Sequence, residues 1–179
     1  GRKNAMPLFS HPFGTDAFSR DVLSRCRYGA RGARSVAALA TAIAVTLGTL
    51  YGAIAGYVGG VVDAVMMRFV DAALAIPRVL LLIAILALWN GLPLWLLIVV
   101  LGATGWFGLS RMVRAQVLSL RELDFVAAAR AMGASGPRIL LRHILPNVLP
   151  TIIVAATLGI GHVIILEAGL SYLGLGVQP

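Results

Sequence analysis

The residues best suited to an interaction outside a membrane lie in Asp124-Phe-Val-Ala-Ala-Ala-Arg-Ala-Met-Gly133 and in Arg142-His-Ile-Leu-Pro-Asn147. This polar, arginine-bearing segment stands between two long apolar runs. A hydrophilic helix between apolar spans has few interactions to make inside a bilayer, because unpaired charge is costly there. The segment therefore predicts contact with a partner in the aqueous phase.

A short helix is expected in this segment. Ser119-Leu-Arg-Glu122 has the spacing of a capping box, and Gly133 suits a helix end. Its apolar residues recur at i, i+3, i+4 and i+7 on one face, with Arg130 among them in sequence: Phe125, Ala128, Ala129 and Met132. Insertion of this face into a groove of a partner and an amphipathic helix on lipid both stay open. The small alanines favour the groove.

Residue patterns for catalysis or metal binding are missing from the sequence. The only lysine is Lys3, so no phosphate-binding loop ending in Gly-Lys-Ser/Thr exists. His11, His143 and His162 are far apart, and a single cysteine, Cys26, makes neither an intrachain disulfide nor a cysteine metal site. We therefore expect no enzyme, no metal and no cofactor bound by this chain.

Composition places the chain in the membrane class. Hydrophobic residues make up 59%, charged residues 12%, and the mean hydropathy is +0.91. The net charge of +8 suits lipid headgroups better than nucleic acid in so apolar a chain. The first apolar run begins near Val36, after a long basic stretch, so we expect no signal peptide at the start.

Four helical spans are predicted, which gives an all-α polytopic membrane protein. Val36 to Val58 carries no charge and is long enough to cross a bilayer, which needs about 20 helical residues. Gly59-Gly60 ends it, and the uncharged run from Val79 to Leu109 is divided by Trp89-Asn-Gly-Leu-Pro93 into a helical hairpin. The fourth span runs from about Ile144 to Leu166.

Glycines recur every fourth residue along the first span. Gly48, Gly52 and Gly56, followed by Gly60, share one helical face. Small residues allow two helices to approach closely where lipid gives no hydrophobic drive for association. The pattern favours static helix packing over a sliding contact between moving helices.

Three charged residues fall in or near the spans. Asp71 and Arg78 are seven residues apart and predicted to share a helix face, which points either to a cavity or to an interface. Glu167 begins Glu-Ala-Gly-Leu-Ser-Tyr-Leu-Gly-Leu-Gly176, where the glycines predict a broken or re-entrant backbone. Asp71, Arg78 and Glu167 are thus candidates for lining a transport pathway.

Several blocks together resemble the inner-membrane permease subunits of bacterial ATP-binding-cassette importers for dipeptides, oligopeptides and nickel. They are His11-Pro-Phe-Gly-Thr-Asp16, Arg20-Asp-Val-Leu-Ser-Arg25, Tyr28-Gly-Ala-Arg31, Gly56-Tyr-Val-Gly-Gly60 and Met67-Arg-Phe-Val-Asp71. The segment from Asp124 to Gly133 resembles the family's Glu-Ala-Ala loop, with matches at Ala128, Ala129 and Gly133. Two positions depart from the pattern: Ala127 replaces the loop's glutamate, and Ser19 replaces a glycine.

The resemblance implies an architecture and a set of partners. Residues 1–34 would be an extracytoplasmic or interfacial segment, and 35–179 a transmembrane domain with four of about six spans and a cytoplasmic coupling loop at 110–142. The basic residues on the two sides nearly balance, so this orientation comes from the resemblance. The partners implied are two ATPase subunits that use ATP and magnesium, a second homologous permease and an extracytoplasmic substrate-binding protein, all at a bacterial inner membrane.

The sequence is compatible with several competing functions. The cargo implied is a di- or oligopeptide, with nickel and glutathione as alternatives. Asp71, Arg78 and Glu167 also suit an ion-coupled secondary transporter or channel. A noncatalytic membrane scaffold would use the glycine face and the amphipathic segment, and an intramembrane enzyme is the weakest alternative because it lacks a catalytic constellation.

Overall fold

The computed structural model describes residues 6–7, 12–15, 18, 20–89 and 93–174. Within this part of the chain the regular secondary structure is helical, with no β-strand. Lys3, His11, Asp16, Ser19, the centre of the predicted turn at Trp89–Pro93 and Gly176 lie outside the described residues. Contacts divide the chain into two compact units, residues 1–36 and 37–179.

The helices follow the apolar runs of the sequence, and glycine or proline marks several of their ends. Gly59 has φ of 69°, which ends the first helix, while Pro77 and Pro93 precede two others. The helices are α1 Val22–Val58, α2 Gly60–Ala75, α3 Arg78–Ala87, α4 Leu94–Gly105, α5 Phe107–Leu120, α6 Asp124–Ala131, α7 Gly136–Ile139 and α8 Leu145–Tyr172, with a π-helical turn Leu140–Ile144 before α8.

Among the described residues, two helices are long and apolar enough to cross a membrane: α1 and the helix that runs from Gly136 to Tyr172. The α2–α3 pair is bent by 77° and the α4–α5 pair by 40°, and the total becomes four if each bent pair is one span. The bend between α4 and α5 lies at Trp106, whose ring packs 4.7 Å from that of Tyr51 and 4.5 Å from that of Phe107.

The outward surface of α8 is apolar. Ile153, Leu158 and Ile165 are 57%, 70% and 72% exposed, although such side chains are ordinarily buried in water-soluble proteins. An apolar surface of this kind is stable when lipid or another apolar helix surrounds it. The exterior of α8 therefore agrees with a membrane protein.

One prediction of local structure is wrong, and a predicted break in the backbone lies later than the start of its stretch. Asp71 and Arg78 do not share a helix, because α2 ends at Ala75 and the chain turns at Pro77. In the stretch that begins at Glu167 the backbone stays helical through Gly169 to Tyr172, where α8 ends, and the residues after Gly174 lie outside the described part of the chain. The first residue after α8 with a positive φ is Gly174, at 77°.

Candidate functional site

Helix α6 is held to the rest of the protein by one side only. Val126 is fully buried and Ala129 is 2% exposed, and both belong to a core cluster. That cluster also contains residues of α5, α7, the π-helical turn and α8: Val113, Val117, Ile139, Ile144 and Val148. Burial of this side fixes α6 against the helices that precede and follow it.

The predicted apolar face of α6 is divided between core and surface. Ala129 packs inside, whereas Ala128 is exposed, Phe125 is 39% exposed and Met132 is 81% exposed. Val126 was not among the predicted face residues, because it is one position off the i, i+3, i+4 series that starts at Phe125. The structure thus leaves Phe125, Ala128 and Met132 available for a partner, and Arg130 is exposed beside them.

The predicted capping box at Ser119–Glu122 is wrong. Ser119 lies in the last turn of α5, where its hydroxyl donates a hydrogen bond to the carbonyl oxygen of Ala115 at 3.3 Å. Residues 110–120, which the sequence pattern assigns to the loop, continue α5. The N-cap of α6 is Leu123, which makes no side-chain capping bond. The apolar packing of Val113 and Val117 keeps this stretch helical.

Gly133 terminates α6 as the sequence indicated. Its φ is 82°, in the left-handed region that residues with a Cβ atom rarely adopt. The amide of Gly133 donates to the carbonyl of Arg130 at 3.0 Å, and the amide of Ala134 donates to that of Ala129 at 3.1 Å. These bonds satisfy the last carbonyl groups of the helix.

A basic cavity of about 370 Å³ opens beside the exposed end of α6. Arg138, Arg142 and His143 supply its polar side chains, and Met132 and Gly133 form its edge. The cavity is therefore suited to acidic groups of a partner that contacts α6.

A buried ion pair between α2 and α5 was not predicted from the sequence. Asp63 of α2 accepts hydrogen bonds from Nε and Nη2 of Arg114 of α5, at 2.5 and 2.6 Å. Asp63 is 8% exposed, so this bidentate pair is largely withdrawn from solvent. The two residues are 51 positions apart. Their charges were visible in the sequence, but nothing in their spacing pointed to a pair.

Arg121 ties the end of α5 to the end of α1. Its Nη1 donates to the carbonyl oxygens of Gly56 at 2.9 Å and Tyr57 at 3.4 Å, and its Nε donates to Glu122 at 3.0 Å. A guanidinium at the C-terminus of a helix satisfies unpaired carbonyl groups and is favoured by the helix dipole. Arg121 lies three residues before the start of α6 at Asp124, so these bonds fix the position at which the chain enters α6.

The glycine face of α1 lies against the backbone of α5. A Cβ atom at Gly48 would lie 2.9 Å from the carbonyl oxygen of Trp106, and one at Gly56 would lie 2.9 Å from that of Arg114. A Cβ atom at Gly52 would collide with the carbonyl group of Ser110. The absence of side chains at these three positions lets the two helices meet at backbone distance.

The structure does not bring the three candidate pathway residues together. Asp71 pairs with Arg111 at 3.8 Å, where both side chains are more than half exposed. Glu167 accepts a hydrogen bond from Ser171 at 3.4 Å. Arg78 instead points inward, where Nη2 donates to the carbonyl oxygen of Leu101 at 2.8 Å.

The apolar helices and the short anchored helix α6 define a helical membrane protein with a peripheral helix between two of its apolar segments. Residues 48–179 match the model of the family described as binding-protein-dependent transport system inner membrane component. The chain belongs to this family of transport permeases.

Curated relatives of the chain carry permease names. It is 44% identical over 98% of its length to a Brucella abortus protein provisionally named a peptide permease, covering 58% of that protein. It is 41% identical over 98% of its length to the dipeptide transport system permease protein DppC of Bacillus subtilis, covering 55%. For the oligopeptide transport system permease protein OppC of Haemophilus influenzae the identity is 44%, over 94% of this chain and 54% of the relative. The chain thus spans little more than half of these relatives.

Proposed function

We propose that the full-length protein is a permease subunit of an ATP-driven peptide importer and forms half of its translocation pathway. The observation that carries the proposal is the arrangement of α6. Its inner side is anchored by Val126 and Ala129, while its outer side exposes Phe125 and Met132 beside a basic cavity. A helix held in this way can receive a force from a partner and pass it to the apolar helices to which it is anchored.

The partners follow from that arrangement and from the family. Of two cytoplasmic ATPase subunits, one would bind α6 and the other the second permease, so the segment that contains α6 would face the cytoplasm of a bacterial inner membrane. A second, homologous permease would complete the pathway, and an extracytoplasmic binding protein would deliver the peptide. The chemical work of ATP hydrolysis with magnesium belongs to the ATPase subunits, and this multi-pass chain binds no cofactor itself. Coupling then requires that α6 make different contacts in the two nucleotide states.

The first experiment is purification of the full-length protein with the products of its neighbouring genes, followed by reconstitution in liposomes. An ATPase should co-purify, and a peptide-loaded binding protein should stimulate hydrolysis and ATP-dependent uptake. The proposal would be contradicted if no ATPase co-purified and peptide uptake did not depend on ATP.

Two adjacent alanines of α6 provide a matched test of the docking face. Ala127 and Ala128 are both exposed, and one helical step separates them by about 100°. Ala128→Arg places a bulky charge on the face of Phe125 and Met132, so we expect at least about 10-fold weaker ATPase binding. Ala127→Arg faces away and should change binding by less than about 2-fold. Co-purification and surface-plasmon titration measure both, and equal effects would contradict this assignment of the face.

Gly133 provides a second test, because the cost of a side chain there depends on its tolerance of positive φ. Gly133→Val forces a β-branched residue into the left-handed region at about 1–2 kcal/mol or more, so the end of α6 should shift and hydrolysis should uncouple from uptake. Gly133→Asn is the control, since asparagine tolerates this conformation better. The ratio of ATP hydrolysed to peptide taken up is the measurement. Unchanged coupling in Gly133→Val would argue against a role for this turn.

The secondary-transporter alternative receives less support from the geometry. It needs ionisable groups that relay charge to one another, yet Asp71, Arg78 and Glu167 each have a different partner. It also leaves the exposed face of α6 without a use. An importer driven by a docked ATPase accounts for that face.

A further inference from the structure

A small cavity lies among helices α1, α3, α4, α5 and α8. Its volume is about 100 Å³, several times the roughly 10–15 Å³ that one water molecule needs. Apolar side chains and glycines form most of its wall, and three polar side chains reach it: Thr41, Arg78 and His162. The cavity therefore combines a charged group with an apolar surround.

Arg78 is not neutralised within the described part of the chain. Its hydrogen bonds go to the carbonyl oxygen of Leu101 at 2.8 Å and, more weakly, to the hydroxyl of Thr104 at 3.4 Å. No described carboxylate lies within ion-pair distance of its guanidinium. A guanidinium has five N–H donors in a planar fork, so several remain for a further acceptor.

Thr41 gives a second, independent indication of a ligand. It is 5% exposed, and its hydroxyl oxygen has no hydrogen-bond partner among the described residues. An unpaired buried hydroxyl is costly, and native structures leave few of them. Since Thr41 and Arg78 line the same cavity, an acceptor bound there can receive hydrogen bonds from both.

We propose that this cavity binds the free carboxylate group at the C-terminus of a peptide. The inference rests on the proposed function, because a peptide is the cargo proposed above. A carboxylate matches the planar fork of Arg78 and offers further lone pairs to Thr41. The cavity is too small for a whole peptide, so the rest of the cargo extends beyond it, and the site recognises the end group that every unmodified peptide carries.

The test compares trialanine as the free acid with trialanine as the C-terminal amide, each labelled with a dye at its N-terminus. The full-length protein, in its complex in nanodiscs without the external binding protein, is titrated with each peptide by fluorescence anisotropy. Because hydrogen bonds to charged groups are among the strong ones, we expect the free acid to bind at least about 10-fold more tightly. Equal affinities, or no measurable binding of either peptide, would overturn the inference.

The variants separate recognition from structural support. Arg78→Gln should reduce the preference for the free acid to within about 2-fold, and Thr41→Val should reduce it by about 3-fold. Arg78→Lys keeps the charge and should restore part of the preference, which a purely structural role would not explain. Arg68→Gln removes an exposed guanidinium of α2 and is the control that should keep it. A preference that survives in folded, monodisperse Arg78→Gln would overturn the assignment.

The same preparations keep this inference distinct from the proposed function. ATP-dependent uptake without any preference for a free C-terminus would overturn only the carboxylate site. Failure of an ATPase to associate would overturn the importer proposal. The two peptides can then still be titrated against the protein alone, which tests the carboxylate site separately.

Discussion

Asp63→Asn is expected to destabilise the protein by about 3 kcal/mol, because it leaves a largely buried guanidinium without its counter-ion. The amide side chain has nearly the same shape as the carboxylate but no charge, so Arg114 keeps its position and loses its counter-ion. The side chains of Asp63 and Arg114 are only 11% and 31% exposed, so water replaces little of the lost interaction. The ion pair joins α2 to α5, and its loss should loosen these two helices together.

A matched control lies on the same two helices. Asp71 of α2 and Arg111 of α5 are 3.8 Å apart with 56% and 58% of their side chains exposed, so Asp71→Asn should cost no more than about 0.5 kcal/mol. The stability of both variants is measured by thermal unfolding in detergent, with the loss of monodisperse protein as the readout. Similar losses of stability in Asp63→Asn and Asp71→Asn would mean that burial does not govern the strength of these ion pairs.

Gly52→Ala is expected to destabilise the protein by about 1–3 kcal/mol, the cost of forcing one extra carbon into a tightly packed contact. The added methyl group meets the carbonyl of Ser110, which belongs to the backbone of α5 and has no side-chain rotation to relieve the clash. The helices α1 and α5 must then move apart along the whole face from Gly48 to Gly56. Larger side chains at this position should prevent assembly of the native helix pair.

The control is a glycine at which alanine should have no destabilising effect. Gly161 lies in α8 with no atom within 4 Å of the Cβ that alanine would add. Alanine favours helix by up to about 1 kcal/mol over glycine, so Gly161→Ala should leave stability unchanged or raise it. Both variants are compared by thermal unfolding in the same detergent. If Gly52→Ala were as stable as Gly161→Ala, α1 and α5 would not be held at backbone distance.

These contacts also bear on the proposed coupling. The glycine face, the Asp63–Arg114 pair and the bonds from Arg121 all connect α5 to α1 or α2. Helix α6 follows α5 directly and shares its core cluster. A displacement of α6 would therefore be passed to several helices rather than absorbed by one loop, and packed interfaces of this kind move between discrete arrangements.

The sequence by itself determined the class of the protein and the positions of most helices. Long uncharged runs have only one stable backbone arrangement in lipid besides a closed barrel, since each amide must find its partner locally. The periodic glycines of α1 predicted a close helix contact, because their spacing places them on one face whatever helix packs there. The location of α6 and its end at Gly133 likewise follow from local residue pattern.

Only the tertiary structure decided which residues meet. The pairing of Asp63 with Arg114 and the shared cavity of Thr41 and Arg78 depend on helices far apart in the chain, so no local pattern encodes them. The division of α6 between a buried Val126 and an exposed Phe125 had the same origin. Periodicity defines the faces of a helix, but the direction in which each face points is fixed by the packing of its neighbours, and in a largely apolar chain hydrophobicity alone does not distinguish core from lipid.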